Sequence, residues 1–496
     1  VSKVVDSDTV EHRDVIIVGA GISGLGAACH LQRECEDRDY VILEGRGAIG
    51  GTWDLFKYPG IRSDSDLYTF GFDFKPWYGK PIATADEILS YLHEVVDENN
   101  LSPNIRFNHW ITNAKWSSKH ARWTVTAKVD GEVVRTYTAN FLFMCQGYYD
   151  YEAGYRPEFP GEETFNGPII HPQQWPEDLD YTGKRMVVIG SGATAATIVP
   201  AVHQDVAHVT QLQRSPSYYF PMDNSIEDEM IQSLRELKID DDWIYEIKRR
   251  KALAEGKELN QRSQTEPEAI KQELFAAAKE YLPEGYDLAP HFTPEYSPWE
   301  ERLCLLPDGD LFKSLGTGKV SMCTDEIERF VENGILLKSG RVLEADIIVS
   351  ATGIELCGLG NVAFEVDGKT IDVNDAFTYR GMMISGMPNF AWIFGYIRTS
   401  WTMRSDMIAH YTCRLLNHMR DQGVQQCTPR LRPEDQGMNG KGFIDPDDFS
   451  PGYMRRGMHR LPKQSDQGPW TNSQDYYVES EEIPNLSFDD GALNFS

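Results

Sequence analysis

An α/β architecture, with two Rossmann-like dinucleotide-binding domains and a helical insertion in the second, follows from three features of the sequence. Two glycine fingerprints, GAGISG at 19–24 and GSGATA at 190–195, each follow a short apolar run. After the first come a helix-like stretch and a second apolar run that ends in an acid. Residues 224–288 then change character and become highly charged and helix-periodic. At 496 residues the chain has room for two or three sizeable cores.

DVIIV at 14–18 reads as a buried parallel strand, LGAACHLQREC as the helix after the turn, and YVILE as the next strand, ending in Glu44. Gly19 permits the tight turn, Gly21 lets a pyrophosphate approach the backbone, and Gly24 lets helix and strand pack closely. The helix start offers free N–H groups to phosphate. Glu44 stands where a carboxylate accepts hydrogen bonds from ribose hydroxyls. GGTWDLFKYPGIRSD follows at 50–64, then SDLYTFGFDFKPW, containing Tyr68. Residues 84–101 read as an amphipathic helix with a Thr84/Glu87 capping box. Residues 105–145 read as a β-meander with a DG turn, whose last run, FLFMCQG, suits a buried strand.

A Pro/Gly-rich linker leads into FNGPIIHPQQWP at 165–176, an F-x-G-x-x-x-H-x-x-x-W-P pattern built on Phe165, Gly167, His171 and Trp175. RMVVIG and the second fingerprint come next, with Gly190, Gly192 and, in the small third position, Ala195. The strand HVTQLQRSP ends in Arg214 and Ser215, with no acid there. A cation and a hydroxyl at that point suit the 2′-phosphate of NADPH. KRRK at 248–251, within the insertion, reads as a solvated helix face. PWEERLC carries Arg302. VLEADIIVSATGIE reads as a buried strand followed by Ala351-Thr352-Gly353. NFAWIFGYIRTSWTMRSDMIAHYTCRLLNHM reads as strand, loop and long helix, with Trp401 and Met403 as candidates to line a pocket. From Asp421 on, Pro, Gly, Asp and Ser abound, which predicts an extended tail wrapping the surface with loose final residues.

Taken together, the two fingerprints, GGTW…YPGIRSD, FNGPIIHPQQWP, ERLC and ATG resemble, in order, the signatures of the Baeyer–Villiger monooxygenases, class B flavoproteins. The likeness is nearest to the subfamily that includes the ethionamide-activating monooxygenase and covers about residues 12–475. It implies FAD at the first turn and NADPH at the second. It further implies that Gly51, Thr52, Trp53, Asp64 and Tyr68 lie near the flavin, with Thr352 and Gly353 where the chain passes between domains. His171 and Trp175 would tie the domains together. The long helix would aim its N-terminus at the flavin. Asp64 and Arg302 are the implied catalytic pair: a permanently charged guanidinium holding an anionic flavin C4a-peroxide, oriented by the carboxylate. The implied reaction inserts one oxygen of O2 beside a ketone carbonyl, giving an ester or lactone, with thioethers also oxidised to sulfoxides. The nearest rival is a flavin-containing monooxygenase acting on sulfur or nitrogen only.

Residues 1–148 and 355–496 are thereby expected to form the FAD domain, and 149–354 the NADPH domain, with the insertion at about 220–300. Lys plus Arg is 48 and Asp plus Glu is 76, a net charge of −28, which argues against nucleic acid or an anionic membrane as partner. The eight cysteines form no C-x-x-C and no Cys/His metal pattern, which predicts reduced thiols, no metal site and no disulfide-reductase chemistry. The polar, acidic start lacks a signal-peptide core, and no apolar run is long enough to span a bilayer. A cytoplasmic enzyme, a monomer or weak homo-oligomer, is the expectation.

Overall fold

The computed structural model describes residues 10–446, 449 and 451–496; the first nine residues of the polar start lie outside these. Glu11–Val18 is an interior strand of a nine-stranded sheet. It pairs in parallel with Tyr40–Leu43 on one side and with the end of Val133–Met144 on the other. The helix between the first two strands, Ile22–Glu34, starts at Gly21 as the fingerprint requires. A Cβ on Gly24 would stand 1.9 Å from the Gly19 carbonyl oxygen, so only hydrogen lets this helix sit so close to its turn.

The predicted helix is Ala85–Glu98, and its capping box is formed: Thr84 Oγ1 accepts from Glu87 N, and the Glu87 carboxylate accepts from Thr84 N. The meander is present as His109–Ser117, Arg122–Val129 and Val133–Met144. Its last strand is shared between the meander and the parallel core. The sheet is completed from far along the chain: Phe390–Trp392 pairs in parallel with Leu142–Met144, and Ala363–Val366 joins the meander edge.

A second, five-stranded parallel sheet runs Val320–Thr324, His208–Gln213, Arg185–Ile189, Ile347–Ser350 and Ile169–Ile170. The II of FNGPIIHPQQWP is thus its edge strand, held against Ile348 and Val349. The charged stretch forms the helices Glu229–Glu236, Asp241–Thr265 and Pro267–Tyr281, and the short helix Ala289–Phe292 follows it.

Two expectations are corrected. KRRK is only half solvated: Arg249 Nη1 donates to the Tyr68 carbonyl at 2.7 Å and Lys248 Nζ to the Tyr68 hydroxyl at 3.1 Å. Arg250 and Lys251 are the solvated half, each with a glutamate four residues away. The tail does not merely wrap the surface. Leu493–Phe495 pairs with Cys427–Pro429, Ser496 exchanges backbone bonds with Gln426, and Trp470 is 0% exposed. A polar composition concealed this because the tail's anchors are few and widely spaced. Among the described residues no helix is long and apolar enough to cross a membrane. All eight cysteines are buried and free.

Candidate active site

One cleft of about 1070 Å³ runs between the two sheets. Both glycine turns open onto it, through Gly19, Gly21, Gly190 and Gly192. The helices after those turns, Ile22–Glu34 and Ala193–Val202, and the late helix Trp401–Gln422 all begin at its wall. Three helix N-termini therefore direct unpaired N–H groups and positive dipole ends at one space.

At the first turn, the Glu44 carboxylate accepts from Ala20 N at 2.7 Å and Arg46 N at 2.8 Å. Burial raises its pKa, and these two N–H groups oppose the rise. Gly51 faces Gly21: a Cβ on Gly51 would lie 3.2 Å from Gly21 Cα and 3.1 Å from the Tyr151 hydroxyl. This bare backbone cradle, beside a fixed carboxylate, fits a nucleotide pyrophosphate and ribose. Thr52 and Trp53 continue the wall, with Trp53 edge-on to Phe70. Gln146 also lines the cleft, and its buried Oε1 has no partner, as a wall built for a polar ligand would leave it. At the second turn, Arg214 and Ser215 are exposed at the cleft edge, and Ala195 is buried behind them in the helix.

Between the two turns lies an ion pair. Arg302 Nε donates to Asp64 Oδ2 at 2.7 Å, Nη1 to the Ile397 carbonyl at 3.0 Å, and Nη2 to Ser65 Oγ at 3.4 Å. Desolvation opposes the arginine's charge, but Asp64 outweighs it and holds the pKa above the ordinary arginine value. The guanidinium is thus pinned on three sides with its remaining surface toward the cleft; the side chain is 28% exposed. Three tyrosines that sequence reasoning passed over stand close by: Tyr148, Tyr149 and Tyr453. Tyr148 donates to the Tyr149 hydroxyl at 3.2 Å and stacks on Trp401. Burial raises all three phenols, so they are neutral hydroxyl donors. The YY of QGYYD follows the buried strand directly, which was the available signal for two of them.

Two chain crossings join the sheets, and they bond to each other. Asp150 N donates to the Glu355 carbonyl, Cys357 N to Tyr148, and Tyr155 N to Gly353. Thr352 Oγ1 donates to the Tyr155 carbonyl at 2.8 Å. His171 locks this joint: Nε2 donates to the Gly353 carbonyl at 3.0 Å, and Nδ1 accepts from Gln173 N at 3.2 Å. Burial lowers its pKa, which keeps it neutral in that tautomer. A Cβ on Gly154 would fall 1.9 Å from the His171 ring. His171, Phe165, Gly167 and Trp175 do not line the cleft; Phe165 and Trp175 pack into the two cores flanking the second sheet.

Some predicted residues lie elsewhere. Tyr68 is outside the cleft wall, where it receives the insertion through Lys248 and Arg249. Met403 is buried behind the wall, whereas Ile397, Thr399 and Trp401 line it. Their alternation shows why: the helix begins at Trp401 and turns Met403 into the core.

Residues 16–271 match the profile of the pyridine nucleotide-disulphide oxidoreductase family. The chain is 46% identical over 490 residues to the FAD-containing monooxygenase EthA of Mycolicibacterium smegmatis, covering 98% of this chain and 97% of that one. It superposes on oxidized steroid monooxygenase bound to NADP with a TM-score of 0.76 at 20% identity, covering 98% and 99% of the two chains. The complex of OTEMO with FAD and NADP gives 0.74 at 18% identity, covering 98% and 100%. At these identities the two superpositions establish a shared fold.

Proposed function

Because the chain belongs to the pyridine nucleotide-disulphide oxidoreductase family and, within it, to the FAD-containing monooxygenases, we propose that it is an NADPH-dependent Baeyer–Villiger monooxygenase. It converts ketones to esters or lactones with one oxygen atom of O2, and oxidises thioethers to sulfoxides. The observation that carries this reading is the Arg302–Asp64 pair in the cleft between the two glycine turns. FAD belongs at the first turn, on Gly19, Gly21, Gly51 and Glu44, and NADPH at the second, on Gly190, Gly192, Arg214 and Ser215. The bound flavin, once reduced, supplies the activation of dioxygen.

The protein's own part is position and charge. Arg302 presents a fixed positive charge to an anionic oxygen and to the carbonyl oxygen on which charge builds, without reorganising as it does so. Asp64 and the Ile397 carbonyl set its direction. The neutral hydroxyls of Tyr148, Tyr149 and Tyr453 offer hydrogen bonds and no nucleophile. Among the described residues the cysteines at the wall, Cys145, Cys304 and Cys357, are single and far apart in sequence, which separates this cleft from disulfide-exchange chemistry.

The test is product identity by mass spectrometry, with FAD, NADPH, air and a panel of cyclic ketones, linear ketones and aryl thioethers. Esters or lactones are expected. Sulfoxides with no ester from any ketone would overturn the reading in favour of a sulfur- or nitrogen-oxygenating enzyme. In Arg302→Ala, flavin reduction by NADPH should stay within about threefold while ester formation falls about 100-fold or more, the cost of losing one preorganised charge.

A further inference from the structure

Outside the cleft, two helices and a loop bring five metal-ligating side chains together. His30 and Glu34 lie four residues apart on the first helix, Asp406 and His410 four apart on the late helix, and Asp73 comes from the loop between. Such spacing stacks each pair on one helix face. His30 Nδ1 stands 3.3 Å from Glu34 Oε1, and His410 Nδ1 stands 2.6 Å from the same oxygen. The other nitrogen of each ring is backed by a further carboxylate. His30 Nε2 is 3.1 Å from Asp406 Oδ1, and His410 Nε2 is 2.9 Å from Asp73 Oδ2. Asp406 is itself fixed, accepting from Asp73 N at 3.0 Å. None of the five lines the cleft.

We propose that His30 Nδ1, His410 Nδ1 and the Glu34 carboxylate form a site for a divalent transition-metal ion of the Zn2+ class, which clamps the first helix to the late helix.

Two imidazoles and a carboxylate are a complete protein ligand set for zinc, with the fourth position left to water. The three ligand atoms lie within 4.8 Å of one another. Tetrahedral bonds of about 2.0–2.1 Å need ligand atoms roughly 3.3 Å apart, so the triad closes on an ion by small side-chain shifts. Asp406 and Asp73 stand where outer-shell carboxylates stand in such sites: on the second nitrogen of each imidazole, fixing the tautomer that turns Nδ1 inward. An ordinary ion pair requires one carboxylate per histidine; here each ring has two. Charge agrees as well. Three carboxylates with two protonated imidazoles sum to −1, and the same carboxylates with neutral imidazoles and a divalent cation also sum to −1. The ion therefore takes the place of two protons and adds directed bonds. The His30 side chain is 2% exposed and that of His410 44%, so the ion reaches the site from the His410 side. Both clamped helices start at the cleft wall, and the clamp grips them two or more turns beyond it, so it takes no part in the chemistry.

The experiment is calorimetric titration of FAD-loaded, EDTA-treated, dialysed protein with ZnCl2 at pH 8, repeated on His410→Ala and Glu34→Gln. His410 is half-exposed, so its replacement leaves the core intact; thermal unfolding without metal checks this. Saturable binding of one Zn2+ per chain is expected, weakened at least tenfold in each variant, with the thermal midpoint raised by Zn2+ in the parent protein alone. Ketone-dependent NADPH oxidation should stay within twofold on chelation. Absence of saturable binding, or equal affinity in His410→Ala, would overturn the site and leave the cluster as a proton-bridged ion-pair network. Turnover that collapses on chelation would overturn the clamp.

Discussion

Single atoms decide the chemistry at the ends of the cleft. Arg214 is exposed at the cleft edge, just past the strand His208–Gln213, where we propose that it meets the 2′-phosphate of NADPH. Replacing it with Ala should raise KM for NADPH about tenfold or more, the loss of one charge-assisted contact of about 1.5–3 kcal/mol. KM for NADH should change little, and steady-state assays with both cofactors check the difference. His171 makes a different demand. Burial holds its imidazole below the ordinary range, so the folded chain resists a proton that the unfolded chain takes up near pH 6.5. The stability due to neutral His171 is full above about pH 6.5 and is lost as pH falls toward the folded value. Urea unfolding at pH 7.5, 6.5 and 5.5 should show a steeper loss in the parent than in His171→Gln, which cannot titrate. Equal slopes would mean that the Gly353 and Gln173 bonds do not depend on a neutral ring.

At the scale of elements, the tail is the part whose contribution was hardest to foresee. Arg404 on the late helix is 0% exposed, and Glu479 meets it with two bonds, Nε to Oε2 at 3.0 Å and Nη2 to Oε1 at 3.1 Å. Tyr396 and Ser473 donate to the remaining lone pairs, each at 2.7 Å. Gln474 then accepts from Ile397 N, and the Ile397 carbonyl receives Arg302. The tail is thus two bonds from the Arg302 guanidinium. Glu479→Ala leaves a buried, uncompensated charge and should cost about 3–5 kcal/mol, read as a lowered thermal midpoint and as poorer coupling of NADPH use to product. Glu479→Gln, which keeps the acceptor, should cost less. The glycine turns, the capping box at Thr84 and the meander were legible because each rests on residues within a few positions of one another. The Arg404–Glu479 pair and the His30–His410 cluster were not, since sequence separations of 75 and 380 residues carry no local period. Tyr68 was placed in the cleft by pattern alone, and the structure gives it to the insertion.

For the whole molecule, the question is what keeps two sheets and one cleft in register. The chain leaves the first sheet after Met144 and returns after Ser350, and the two crossings bond side by side from Tyr148–Tyr155 to Gly353–Cys357. Because both strands of this joint line the cleft, a ligand there touches the hinge as well as both sheets. A group that binds only the folded state stabilises it by RT ln(1 + L/Kd), where L is its free concentration, about 2.7 kcal/mol at a hundredfold excess over Kd. Removing the flavin should therefore lower the thermal midpoint and leave the crossings as the weakest covalent link between two intact cores. Limited proteolysis of flavin-free protein should cut first within 149–160 or 351–357 and release fragments bounded there; FAD should suppress those cuts, and NADP should suppress them further. Thr352→Val, which removes the bond to Tyr155 without changing side-chain volume much, should increase cutting in the flavin-free protein and have little effect once both dinucleotides are bound. First cuts within the helices at 229–281, with or without FAD, would instead place the weakest point in the insertion and deny the crossings a hinge role.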